Sequence, residues 1–245
     1  MGTRFHIGAK ELRGGIEAYA KRFDLLEVAL GAAGDPRAPT VSTLRRWRKL
    51  VPPHFDFCVV VGPSLAKLKA SDALDKELAA TKAAVDALQA RCMLIPTMAD
   101  VTPSVLWRDR MSKLLDRMPR DATHVVWEPR GVWEVEDAAV AARKWGIVLA
   151  VDAARDPVPA GPVAYTRLPA LGETRSYGAA ALERVVKAIG TRRDAYVVRE
   201  TASALTECKK LRQVAQGTKK KFEGGMGRIV RPRGATVKVR DDEQE

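Results

Sequence analysis

The sequence predicts an α/β protein of the TIM-like (β/α)8 barrel class, and three observations point there. One rhythm, a short apolar run, a polar turn and an amphipathic helix, repeats eight times between residue 4 and about residue 216. The runs are continuously apolar rather than alternating, as in FCVVV and IVLAV, which suits parallel strands buried on both faces. No Gly-x-Gly-x-x-Gly follows the first run, so the doubly wound dinucleotide-binding sheet loses its main support. Eight units in roughly 215 residues is the length that a closed parallel barrel requires.

The elements follow in order. RFHIGA (4–9) reads as strand 1, with a Gly14-Gly15 turn and a helix through Ala20. LLEVAL (25–30) is strand 2, and a Gly/Ala/Pro loop leads to the helix TVSTLRRWRKLV, which stops at Pro52-Pro53 as helices do before proline. FDFCVVVG (55–62) is strand 3 and DKELAATKAAVDALQA its helix. CMLIPT (92–97) is strand 4. Thr102 then stands as a helix cap and Pro103 as the first helical residue. HVVWEP (124–129) is strand 5, and its helix begins near Trp133. IVLAVDAARD (147–156) is strand 6, and the short proline-rich loop after it predicts that this helix is missing or reduced to a turn. VAYTRLPA (163–170) is strand 7, with the helix SYGAAALERVVKAIG, and AYVVRETA (195–202) is strand 8, with SALTECKKLRQVA. The barrel therefore spans residues 1–216, and residues 217–245 form a basic tail with little core-forming material.

Composition narrows the setting. Hydrophobic residues make up 46% of the 245, enough for a substantial core, yet no apolar run has the length of a membrane span. The start lacks the apolar stretch of a secretory signal. His6 stands where a myristoylation pattern needs Ser or Thr. Cys58, Cys92 and Cys208 are odd in number and form no Cys-x-x-Cys, which predicts reduced cysteines used as apolar fillers in a cytoplasmic protein. The excess of 42 basic over 30 acidic residues, a net charge of +12, favours anionic partners. These are a small anionic ligand, or nucleic acid met by the basic surface and by residues 219–240.

Charged residues cluster at the strand exits, where the active sites of such barrels lie. In THVVWEPRGVW (123–133) a buried run ends abruptly in Glu128, Pro129 and Arg130. The plain alternative is a structural Glu128–Arg130 ion pair that pins the loop. Glu27, Asp152, Arg167, Arg199 and Glu200 stand at other exits. Glu128 and Glu27 are the candidate acid/base residues, since neighbouring carboxylates shift one another's pKa. Arg130, Arg167 and Arg199 suit bidentate binding of a phosphate or carboxylate, with Asp152 and Glu200 beside them. Converging carboxylates could also hold Mg or Mn, although no histidine joins the cluster. Trp133 stands where it can stack on a ligand or simply pack. The three histidines, His6, His54 and His124, lie at strand starts or in a turn and read as structural.

Several segments, taken in order, resemble the YecE-like family, also known as domain of unknown function seventy-two. YAKRFDLLEVAL is similar to its "Y-A-x-x-F-x-x-V-E", and STLRRWRKLVPPHFDFCVVV to "T-x-x-x-W-x-x-x-x-P-x-x-F-x-F-x-V-K". WEPRGVW is similar to "E-x-R-x-x-x-W", and YTRL to "Y-x-R-x-H-G". The resemblance implies a TIM-like barrel whose activity is not established. The chain also departs from the family pattern. Lys10, Glu11 and Leu12 replace a serine-glycine-tryptophan, and the polar block after strand 2 becomes a Gly/Ala/Pro loop. Pro169 replaces a histidine, and Arg199 and Glu200 replace paired asparagines. Glu27, Glu128, Arg130 and Arg167 remain. Two readings follow: an enzyme acting on a small anionic or phosphorylated substrate at the rim, or a barrel without catalysis that binds nucleic acid or protein through its basic surface and tail.

Overall fold

A computed structural model describes residues 2–12, 14–169, 176–200 and 204–224, with side chains in the last stretch through residue 217. Eight parallel strands close into a barrel in sequence order. They are β1 (Arg4–Ala9), β2 (Leu25–Ala29), β3 (Asp56–Val60), β4 (Cys92–Pro96), β5 (His124–Glu128), β6 (Val148–Val151), β7 (Val163–Leu168) and β8 (Asp194–Arg199). The helices are α1 (Ile16–Ala20), α2 (Val41–Leu50), α3 (Pro63–Ala66), α4 (Asp72–Leu88), α5 (Val105–Leu115), α6 (Val135–Trp145), α7 (Ala179–Ile189) and α8 (Ala204–Gly224). The expected fold class holds, and no helix lies between β6 and β7. There the chain makes one turn, in which Arg155 and Asp156 donate their backbone N–H groups to the Asp152 carbonyl.

Alternate residues of each strand face opposite sides, and both sides are buried. Outward residues such as Phe57, Val59, Met93 and Trp127 pack under the helices. Inward residues fill the barrel with Leu25, Cys58, Leu94, Val126, Tyr165 and Val198. Cys58 and Cys92 lie directly opposite each other on β3 and β4 as free thiols. Burial pushes the Cys58 thiol well above its ordinary range, as suits an inert filler. Strand closure sets one inward position absolutely: a Cβ at Gly8 would stand 2.0 Å from the Leu25 carbonyl oxygen. Tyr19 of α1 ties the exit of β1 to β2, its hydroxyl accepting from Ala9 N and donating to Leu25 O, each at 2.8 Å.

The start of α5 differs from the sequence expectation. Ser104, not Thr102, precedes the helix, and Pro103 lies outside it. Val101 is buried and its carbonyl accepts the Trp133 indole N–H at 2.7 Å, which holds this part of the loop in place beneath β5's exit. The helix forms only beyond that anchor. The turn α3 was not foreseen; Glu77 of α4 supports it, accepting from Ser64 N and Leu65 N at 2.8 and 2.9 Å. Helix α8 runs on past Gln216 to Gly224. The expected nucleic-acid contact by residues 219–240 lies outside the described residues from 225 onward, and outside the described side chains from 218. No described helix is long and apolar enough to cross a membrane.

Candidate active site at the barrel rim

The alternation of β7 turns Tyr165 and Arg167 inward together, Arg167 one layer nearer the C-terminal rim. From β2, β5 and the end of β8, Glu27, Glu128 and Glu200 reach the same guanidinium. Nη1 of Arg167 donates to Glu128 Oε1 and Oε2 at 2.7 and 2.8 Å. Its Nη2 meets Glu27 Oε2 at 3.0 Å and Glu200 Oε1 at 3.1 Å. Tyr165 donates its hydroxyl to the other Glu27 oxygen at 2.7 Å. Arg167 has 8% side-chain exposure and Glu27 1%, so the ionic network is sunk into the barrel mouth. Two half-exposed cations complete it at longer range. Lys10 Nζ stands 3.5 Å from Glu200 Oε1, and Arg130 Nη2 stands 3.3 Å from Glu128 Oε2.

Burial pushes the Glu27 carboxyl above its ordinary pKa, and the Arg167 charge and the Tyr165 hydroxyl only partly offset this. Burial alone would lower the Arg167 guanidinium, but Glu27 and Glu128, with Glu200, together hold it above its ordinary range. It is therefore a permanent cation. Its Nε is buried with no hydrogen-bond partner. Burial also raises Asp152, whose Oδ1 accepts from Ala154 N at 3.0 Å. Its Oδ2 has no hydrogen-bond partner, although Arg155 Nε lies 3.6 Å away.

These groups open on a cavity of about 330 Å³ lined by Lys10, Glu128, Arg130, Trp133, Asp152 and Glu200, among others. The structure thus brings together Glu27, Glu128, Arg130, Arg167 and Glu200, with Asp152 and Trp133 on the cavity wall. Trp133 is mainly a packing residue. Its indole is bonded to Val101 and packs edge-on against Trp127 at 4.9 Å between ring centres.

Arg199 is a correction. Its side chain is fully buried on the outer face of β8, where Nε donates to Glu207 of α8 at 2.8 Å and the guanidinium stacks 4.1 Å over the Tyr177 ring. A second Arg199–Glu207 contact, through Nη2, reinforces the pair. Adjacent strand residues face opposite sides, so Arg199 cannot join Glu200 in the pocket. The expected Mg or Mn site is not supported by the residues present. Among the described residues no three His, Cys, Asp or Glu side chains gather so as to hold a metal ion. The point where the three glutamates converge is taken by the guanidinium.

Two site residues escaped the sequence reading. Lys10 is the first residue past β1, so the strand-exit rule applied to all eight strands would have found it. Tyr165 lies two places before Arg167, on the same face.

A family model described as "Protein of unknown function DUF72" matches residues 4–229. No curated protein matches the chain in sequence. Among solved structures, a DUF72 family protein from Enterococcus faecalis is 14% identical with a TM-score of 0.67, covering 88% of this chain and 98% of its own. A DUF72 family protein from Thermotoga maritima is 16% identical with a TM-score of 0.61, covering 89% and 99%. A xylose isomerase domain containing protein from Salmonella typhimurium is 14% identical with a TM-score of 0.54, covering 90% and 97%. At these identities the structural likenesses speak for the fold, while the family match extends over most of the chain. The chain belongs to the DUF72 family.

Proposed function

We propose that the rim cavity is the active site of an enzyme that moves a proton on a small substrate carrying one anionic group. The observation that carries this reading is the convergence of three glutamates, from β2, β5 and the exit of β8, on one guanidinium above the barrel's apolar middle layer. Removing each such charge from water costs several kcal/mol. The barrel's own closure requires none of these ions, since its middle layer is apolar side chains, thiols and tyrosines.

Arg167 has both terminal nitrogens engaged by carboxylates and serves as the clamp that orients them, rather than as the anion holder. Glu27, with both oxygens engaged, is a positioning residue for Arg167. Glu128 has both oxygens on Arg167 Nη1. Glu200 lines the cavity and receives Arg167 and Lys10 through the same oxygen, Oε1, so Oε2 is the oxygen that serves as acid/base. Lys10 and Arg130, with 45% and 52% side-chain exposure and only long contacts, are the groups that hold a phosphate or carboxylate.

The test is a thermal-shift screen of small carboxylates and phosphate monoesters against the wild type, Lys10→Gln, Arg130→Gln and Glu200→Gln. Hits are then incubated with the protein in D2O and followed by NMR for exchange of a carbon-bound proton. A ligand at about 100 times its Kd adds roughly 2.7 kcal/mol of stability. The reading expects a shift that Lys10→Gln and Arg130→Gln weaken, and exchange that Glu200→Gln abolishes while binding persists. A screen in which no shift responds to these variants favours the alternative, a barrel without catalysis that binds nucleic acid or protein.

A further inference from the structure

The opposite mouth of the barrel carries a larger concavity, about 550 Å³, at the N-terminal ends of the strands. All three histidines of the chain, His6, His54 and His124, line it together with Arg4, Arg91, Arg120 and Arg193. The acidic residues there are Asp56, Asp121 and Asp194. We propose that this mouth is a second binding site, specific for the phosphoryl group of a small molecule, which sits among Arg91, Arg193 and His124.

The argument is one of charge accounting at named atoms. Asp194 meets Arg4 Nη2 at 2.8 Å, Arg193 Nε at 2.9 Å and His6 Nε2 at 3.3 Å, so one carboxylate serves two guanidinium groups and an imidazole. Asp56 meets His6 Nδ1 at 3.0 Å, which engages the second ring nitrogen as well. His6 stacks on Tyr196 at 4.6 Å between ring centres and forms the floor. With these two carboxylates consumed, the positive groups around them remain in excess. Arg91 makes no hydrogen bond or ion pair through its guanidinium among the described residues. The free side of Arg193 reaches only His124, Nη2 to Nε2 at 3.5 Å. Arg120 spends Nη2 on the Trp145 and Gly146 carbonyls.

The three groups come from separate segments of the chain: Arg91 just before β4, His124 at the head of β5, Arg193 just before β8. Closing the barrel brings the two guanidinium-bearing residues and the imidazole into one concavity. Burial, and then the neighbouring Arg193 and Arg91 charges, hold His124 below its ordinary pKa, against the opposing pull of Asp194 and Asp56. A dianion beside them favours the protonated form of His124 and can accept from both guanidinium forks at once. The site is concave and bounded by the strand ends, which favours a phosphate monoester over the extended backbone of a nucleic acid.

The experiment titrates inorganic pyrophosphate into the full chain by calorimetry, while NMR follows the His124 imidazole resonances. Arg91→Gln is the principal variant, because Arg91 has no side-chain partner to lose on folding. Lys82→Gln, an exposed residue of α4, is the control, Lys10→Gln reports any pyrophosphate held at the far rim, and a DNA duplex is the competing ligand. The proposal expects saturable binding with a shift of the His124 resonances, about tenfold weaker in Arg91→Gln and unchanged in Lys82→Gln. It is overturned by absence of saturation, by binding that Arg91→Gln leaves intact, or by binding that only Lys10→Gln weakens. Duplex binding that depends on Arg91 without any pyrophosphate binding overturns it too, in favour of a nucleic-acid face.

Discussion

Both oxygens of Glu27 are engaged, one by the Tyr165 hydroxyl and one by Arg167 Nη2, in a setting almost closed to water. Removing that carboxylate leaves a buried guanidinium with two partners in place of three. Glu27→Ala is expected to cost about 3 kcal/mol, the lower end for breaking a buried pair, because Glu128 and Glu200 remain. Urea unfolding measures it, and a loss below ~1 kcal/mol would mean that the pair is as weak as an exposed one. His6 gives a pH-dependent counterpart. Burial lowers its pKa, but Asp56 and Asp194 together outweigh burial, so its folded-state pKa stands above the ordinary 6.5. Its bond to the two aspartates, beside Arg4 and Tyr196, is therefore fully present below pH 6.5 and is lost as pH rises through the higher folded value. Wild-type stability is expected to fall across the interval above 6.5 more steeply than that of His6→Gln. Parallel denaturation curves for the two proteins over that range would contradict the assignment.

At the scale of elements, the loops leaving β4 and β5 form one packed unit beside the cavity. The Trp133 indole N–H bonds to Val101, Arg108 lies 5.2 Å over the Trp133 ring, and Trp127 donates to Thr97 Oγ1 at 3.0 Å. Gly131 makes the crossing possible. It adopts φ +84, and an added Cβ would stand 2.5 Å from the Ala99 carbonyl oxygen. Gly131→Ala is expected to destabilise the protein by about 2 kcal/mol. It should also displace Arg130 from Glu128, so that it weakens rim ligands as Arg130→Gln does. A thermal melt and the rim-ligand screen measure both effects, and an unchanged melting temperature would show that the loops yield freely. Nothing in the sequence joins Gly131 to its neighbour Ala99, because the two loops meet only once β4 and β5 are paired. For the same reason the cap expected at Thr102 moved to Ser104: local preference for a helix start gave way to the Val101–Trp133 bond.

For the whole molecule, the two mouths of the barrel differ in chemistry. The C-terminal mouth holds Glu27, Glu128 and Glu200 tied to Arg167, with Lys10 and Arg130 at its edge. The N-terminal mouth gathers four arginines and three histidines against three aspartates. A net charge of +12 gave the expectation of anionic partners without saying where on the surface they would bind. The paired tests follow from this division. Rim variants and Arg91→Gln should each weaken binding at their own mouth and leave the other mouth intact, since the barrel's apolar middle layer separates the two sets of charges.

The barrel itself was readable in the amino-acid order, because burial on both faces leaves continuous apolar runs and each helix leaves its own period, signals local to each segment. The missing helix between β6 and β7 was readable likewise, from a connection too short and proline-rich to hold one. The exits of β2, β5 and β7 named Glu27, Glu128 and Arg167 as site residues for the same local reason. Only the tertiary structure decided who meets whom. Arg167 lies 140 residues from Glu27 and 39 from Glu128, and their contact exists only in the closed barrel. It also decided that Glu200 turns in while Arg199, one residue earlier, turns out to Glu207. A one-residue uncertainty in where a strand ends reverses a side chain's face. The histidines, scattered at positions 6, 54 and 124, share one mouth because parallel strands all begin at the same end of the barrel.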